Sequence, residues 1–411
     1  MNYLSECDLQ TRKVVKKIAR EMGTPFYLYN ASSVMYNLEN IKRLFSWQNR
    51  YCNFFPVREN PNPNILQLLW NAGCGMLACG RSELILCNSL GFKGNRILYQ
   101  PLVPDKETEV LAQNLSVLWL ATAPSLLPSR KIDAVILRYI PETEISGVLS
   151  YKGKTGFLFD ELQNAIICLR KKNIENIGLD IQVKSFDYRN DAFVRKAEKL
   201  FSDIENLSRL LGVRFSACCL GDAVRRGDKM VDSLTYLEQD VSRIRELWEL
   251  MNPDDRPDIY TAFSYHIMEN TGILVASVLE TRLLHRNYCV LDAGICQFTR
   301  PALLCTQKDI SVIRIKRTDT EPKMYHVVGT VPEDFDRLTP SKTPLHVSTG
   351  DLCVLHNVGC GARSMPMLYN FQPLAAEYLI ETSGAVSLIA PERTSDDIMK
   401  FILSYEKKTV Y

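Results

Sequence analysis

The chain has 411 residues, 46% of them hydrophobic, with 49 basic and 47 acidic side chains and a formal net charge of +2. That length suffices for a large barrel with an appended domain, and the balanced charge excludes a surface built to hold polyanions, so no nucleic-acid partner is expected. The ends read as free of export or anchoring signals, and the longest apolar tract, "LSVLWLATAPSLL", is too short and interrupted to span a bilayer. Thirteen cysteines read as reduced thiols, which with the absence of a membrane segment predicts a cytoplasmic protein. No histidine is spaced with cysteines or carboxylates as a metal site or a triad requires, so no metal is expected.

In chain order, "FFPV" (Phe54 to Val57) reads as a buried strand ending at Arg58, followed by a helix from Asn64 with Ile65, Leu68 and Leu69 on one face. "GMLAC" is a short strand, "RSELILCNSLG" a glycine-capped helix, and "RILYQ" and "DAVILRYI" are strands. "FDELQNAIICLRKK" is an amphipathic helix, "NIGLDIQV" a strand, "DAFVRKAEKLFSDIENLSRLLG" a long helix, and "RFSACCLG" another strand in which Cys218 and Cys219 read as small buried hydrophobes. Repeated strand and helix without a glycine-rich dinucleotide fingerprint predict an α/β fold built on a closed (β/α)₈ barrel over 30–270. From about residue 271 to 411 the pattern becomes strand after strand, "GILVASVLETRLLHRNYCVLDAG", "SVIRIKR", "MYHVVGTV" and "DLCVLHNVG". That stretch and residues 1–29 predict a second, mostly antiparallel β domain.

Four colinear segments, "MGTPFYLYNASSV", "FFPVRENPNPNILQLLWNAGCGM", "VLDAGICQFTRPALL" and "SMPMLYNFQPLAAEYLI", resemble the fold type III pyridoxal-phosphate decarboxylases. Diaminopimelate decarboxylase is the most similar of these and ornithine decarboxylase is more distant. The resemblance spans nearly the whole chain. It implies a TIM-like barrel with an alanine racemase-like C-terminal β domain, in a dimer whose sites draw on both subunits.

The same resemblance places the family's functional positions on this sequence. The lysine that carries the cofactor falls on Arg58, whose delocalised guanidinium does not form an imine. The catalytic cysteine falls on Pro332, the ring-stacking histidine on Gln182 followed by Lys184 and Ser185, and an aspartate on Leu77. The glycine-rich phosphate turn falls on Leu220 to Val224, which keeps Gly221 but puts Asp222 where a dianion would sit. The acidic partner of the pyridine ring and its neighbours fall on Ala262, Phe263, Ser264 and Tyr265, and the phosphate-binding tyrosine on Gly361. Arg300 matches the arginine that holds a substrate carboxylate, with pairing to an acid in the β domain as its plainer reading. Glu333, Asp336, Tyr369 and Asn370 match further site positions, with a solvated turn as the plainer reading of Glu333 and Asp336 and packing as that of Tyr369. For Arg58 the plainer reading is a structural cation paired with Glu83 or with a carboxylate of the second domain.

The expectation is therefore a decarboxylase-like pseudoenzyme without pyridoxal phosphate. It would act as a homodimer, as the partner of an active decarboxylase paralogue, or as a binder of a small amino-acid-like metabolite. The alternative is a divergent pyridoxal-phosphate decarboxylase using a relocated amine, for which Lys184, and less securely Lys154, are the candidates.

Overall fold

The structure, a computed structural model, describes residues 9–141, 154–181, 191–222, 230–305, 307–315 and 321–405. These divide into two compact units, one running from Tyr36 to Ile267 and the other combining the described residues up to Met35 with those from Met268 onward. The first strand, β1 (Phe26–Asn30), belongs to the second of these units.

Eight parallel strands close into a barrel: β2 (Cys52–Pro56), β3 (Gly75–Cys79), β4 (Ile97–Gln100), β5 (Leu118–Ala121), β6 (Ala134–Tyr139), β7 (Ile177–Ile181), β8 (Phe215–Cys219) and β9 (Asp258–Thr261). Phe54, Leu77, Leu98, Leu118, Leu120, Ala134, Ile136 and Ala262 form one cluster, with successive members two residues apart along β5 and β6, as a filled barrel interior demands. The closing seam between β9 and β2 is short, and the buried Asn53 side chain extends it. Its Oδ1 accepts from Phe263 N at 2.7 Å and Thr261 Oγ1 at 2.8 Å, and its amide donates to the Phe263 carbonyl at 3.2 Å.

The helix after β2 runs Pro63–Asn71. It starts with proline at its first turn and an Asn62 side chain accepting from Asn64 N at 3.0 Å, and it buries Ile65, Leu66 and Leu69. Leu68, expected on that face, is only half-buried, and Leu66 takes its place. The tract read only as apolar contains β5, whose four residues are all buried, the mark of a parallel strand covered on both faces. Helices Lys106–Asn114 and Met230–Leu250 and strand β9 add to the elements read from the sequence. Helix Ala192–Leu211 packs on β7 and β8 and stops at Gly212, whose φ of +58° is the left-handed conformation glycine adopts freely.

The other unit is a nine-stranded, mostly antiparallel sheet. Its strands besides β1 are β10 (Gly272–Leu283), β11 (Asn287–Leu291), β12 (Ile310–Ile313), β13 (Lys323–Val328), β14 (Thr343–Leu345), β15 (Leu352–Leu355), β16 (Ala376–Ile380) and β17 (Val386–Ala390). The main path is β14-β13-β11-β10-β1-β16-β17, with β15 joining β10 to β12, and only β1 with β16 and β11 with β13 run parallel. Among the described residues no helix is long and apolar enough to cross a membrane, and no group of three or more His, Cys, Asp or Glu is placed to hold a metal ion.

Candidate functional site

Because side chains alternate along a strand, the faces that send Leu77, Leu98 and Ile136 inward also send Cys79, Gln100 and Arg138 inward at the C-terminal strand ends. This is the end of a parallel barrel where functional groups are carried. Arg138 Nε sits 2.6 Å from Asp180 Oδ2, both nearly buried, in a pair bridging β6 and β7. Leu77 lies one layer deeper as part of the apolar filling, so the position the resemblance gave to an aspartate is core.

Arg58 leaves β2 in a short 3₁₀ turn, Val57–Glu59, with its side chain half-exposed. Its Nη1 donates to Cys79 Sγ at 3.3 Å and its Nε lies 3.8 Å from Glu59 Oε1. The direct carboxylate neighbour is thus Glu59 and not Glu83. Glu83 instead accepts from Cys79 N at 2.7 Å, and burial raises its pKa although that hydrogen bond and the Arg58 charge pull it down. Burial likewise raises the Cys79 thiol, with Arg58 opposing.

At the end of β8, Gly221 takes φ +67° and its carbonyl accepts from Ala262 N at 2.8 Å. Asp222 folds back onto the chain after β9, where its Oδ2 accepts from Ser264 Oγ at 2.9 Å and Ser264 N at 3.2 Å, with His266 Nδ1 4.0 Å from Oδ1. Ala262 and Phe263 are buried in the barrel wall and Tyr265 opens the short helix that follows. Cys218 and Cys219 are buried as expected, and burial pushes the Cys219 thiol up to about 12.

One group was missed in the sequence. Lys196, on the Ala192–Leu211 helix, is 4% exposed and donates from Nζ to the Leu220 carbonyl at 2.6 Å, beneath the Gly221 turn. A Cβ on Gly221 would lie 3.1 Å from that nitrogen. The signal was present: Phe193, Lys196, Ala197, Leu200, Ile204 and Leu207 follow the helical period of the buried stripe, and a lysine inside such a stripe is rare unless it is paired. Burial lowers its pKa; Asp180 and Cys219 oppose that, Arg138 adds to it, and Asp222 opposes it. Lys154 is exposed in a turn, while Gln182, Lys184 and Ser185 lie outside the described residues.

The remaining expected positions lie in the sheet unit. Tyr369 donates to Glu333 Oε1 at 2.6 Å, and the neighbouring Asn370 is exposed at φ +51°. Pro332 is exposed. Asp336 is no solvated turn. It is 2% exposed, accepts from Ile295 N at 2.7 Å through Oδ1 and Val331 N at 2.8 Å through Oδ2, and pins two loops together. Arg300 is half-buried at the start of helix Arg300–Leu304, and Gly361 is buried at φ +61°.

Comparison with known proteins agrees with this architecture. A family model described as "Pyridoxal-dependent decarboxylase, C-terminal sheet domain" matches residues 26–359. Similar relatives include Protein TabA of Pseudomonas amygdali pv. tabaci, 22% identical over 93% of this chain and 92% of its own. Diaminopimelate decarboxylase of Archaeoglobus fulgidus is 22% identical over 89% and 90%. Among solved structures, diaminopimelate decarboxylase from M. jannaschii superposes with a TM-score of 0.83 at 19% identity, covering 93% of each chain. Lysine decarboxylase from Selenomonas ruminantium does so at 0.74 and 18%, covering 91% and 96%.

Proposed function

The chain belongs to the pyridoxal-dependent decarboxylase family, and from that premise we propose that it is a decarboxylase-like protein that no longer decarboxylates amino acids through pyridoxal phosphate. It acts instead as a regulatory or partner subunit, in a homodimer or beside an active decarboxylase paralogue, or as a binder of a small amino-acid-like metabolite. The observation that carries this reading is Arg58. The group at the end of β2, where the resemblance puts the cofactor-bearing amine, is a guanidinium resting on Cys79 and Glu59.

The residues present do not fit the cofactor. The turn that would cradle its phosphate offers the Asp222 carboxylate, already held by Ser264, to a dianion. Leu77 is apolar filling, and Ala262 and Tyr265 stand where the resemblance puts the acidic partner of the ring and a basic phosphate contact. These departures lie in β3 and in the segments after β8 and β9, so no single reversion repairs them.

Titration of the purified protein with pyridoxal phosphate is expected to give no visible band of a lysine-bound cofactor at the barrel. R58K is expected to release no carbon dioxide from diaminopimelate, ornithine or lysine. Substantial decarboxylation by R58K alone would defeat the reading, because it would mean the rest of the site is intact. Copurification of an active decarboxylase subunit from the native cell separates a partner subunit from a metabolite binder.

A further inference from the structure

We propose that the Lys196 amine is a carbonyl-reactive site, at which a small aldehyde entering the barrel at its C-terminal end is held covalently as an imine. The position has the features such an amine needs. It lies beside Leu220 just past the C-terminal end of β8, its four-carbon stem is fixed in the apolar stripe of the Ala192–Leu211 helix, and its nitrogen lies beneath the Gly221 turn, where a Cβ would come within 3.1 Å of it. Among the described residues its one hydrogen bond is to a neutral carbonyl, Leu220 O, and no carboxylate oxygen lies within ion-pair distance to hold it as an ammonium. A neutral amine meets that arrangement: one N–H serves the carbonyl and the lone pair remains for bonding.

Among the described residues, the charged and titratable groups facing it are Arg138 from β6, Asp180 from β7, Cys219 from β8 and Asp222 from the turn beyond it. Asp180 is already committed to Arg138 and Asp222 to Ser264, which is why burial prevails over their attraction and lowers the amine's basicity.

The step balances without a co-reactant. The nitrogen lone pair adds to the aldehyde carbon, a proton passes from nitrogen to the former carbonyl oxygen, and the resulting carbinolamine loses water to leave a carbon–nitrogen double bond. Nothing is oxidised or reduced. The proposal is independent of the loss of decarboxylation, which rests on Arg58.

The test is reductive trapping of the full chain with cyanoborohydride in the presence of butanal, glyoxylate or pyridoxal phosphate, each alone, followed by peptide mass spectrometry. At least one aldehyde is expected to label the peptide containing Lys196, and K196R, which keeps a long cation, is expected to abolish that label. Labelling of Lys196 relative to the exposed Lys16 and Lys17 is expected to rise as pH falls from about 9 to about 7, because ordinary lysines become protonated there. That ratio is read on the unmodified chain, so it decides the matter even where K196R does not fold. Absence of label on Lys196 with all three aldehydes, or a label that tracks Lys16 at every pH, overturns the proposal. Trapping of pyridoxal phosphate at Lys196 upholds it while sinking the proposed loss of the cofactor; trapping of butanal or glyoxylate alone leaves both standing.

Discussion

The two units of the chain treat buried charge differently. In the sheet unit, three described charges have close partners. Lys308 Nζ meets Glu269 Oε1 at 3.0 Å and the Asn357 carbonyl at 2.6 Å, Arg363 Nε meets Glu377 Oε1 at 2.8 Å, and Asp336 takes two backbone N–H groups. At the barrel's strand ends one pair, Arg138 with Asp180, is equally tight. Among the described residues there, the Arg58 guanidinium is held by a thiol and a carboxylate 3.8 Å away, and the Lys196 amine by a carbonyl. A closed network serves stability, since opening it strands a buried charge. A buried amine without a close carboxylate is instead held by burial at a lowered pKa. The contrast is between charges closed into networks in the sheet unit and a barrel strand-end face where basic groups have few partners.

The contrast can be broken or sharpened by measurement. The largest effect is expected from E269A, which leaves the buried Lys308 ammonium without its carboxylate and should cost about 3–5 kcal/mol in urea unfolding. A loss below about 1 kcal/mol would mean the pair is not the closed network described. D336A removes the acceptor for Ile295 N and Val331 N and should cost about 3 kcal/mol, read in the same way.

K196M should behave unlike either, changing stability at neutral pH by no more than about 1 kcal/mol, because it removes a poorly answered amine together with one hydrogen bond. The sign of its pH dependence follows from linkage. The folded-state pKa of Lys196 is lowered, so between that value and about 10.4 the unfolded chain binds more protons than the native one. Wild-type stability therefore gains from this group as pH rises through that window, and the cost of protonating Lys196 is fully present below it. K196M lacks the term, so its stability relative to wild type should fall as pH rises. A relative stability independent of pH would show that Lys196 is an ordinary ammonium. R58A should be the mildest, within about 1 kcal/mol, since its half-exposed guanidinium makes one long ion pair.

Much of the fold was legible because its signals are local. The alternation from "FFPV" to "RFSACC" gave the parallel barrel, and the run of strands after residue 270 gave the sheet. β5 was hidden because a strand covered on both faces reads as an apolar tract without a period. At the site, Arg58 was legible as a misplaced cation, while its neighbour was not. Glu83 was the plausible partner, but Glu83 turns to Cys79 N and Glu59 stands nearer. Asp336 looked like a turn residue because nothing in "VPEDFDRL" announces that its carboxylate reaches Ile295, 41 positions away.

By itself the sequence determined the strand and helix periods, and with them the two kinds of β structure, and the chemical identity of each strand-end group, above all a guanidinium at 58 that no folding can make into an amine. Only the tertiary structure decided which of those groups are buried and what answers them. That Lys196 ends beneath Gly221 on a carbonyl, while Lys308 ends on Glu269, follows from closing the barrel and pairing the sheet. The physical reason is that periodicity is a property of neighbours along the chain, whereas the solvation of a charge depends on whatever the fold brings against it from elsewhere.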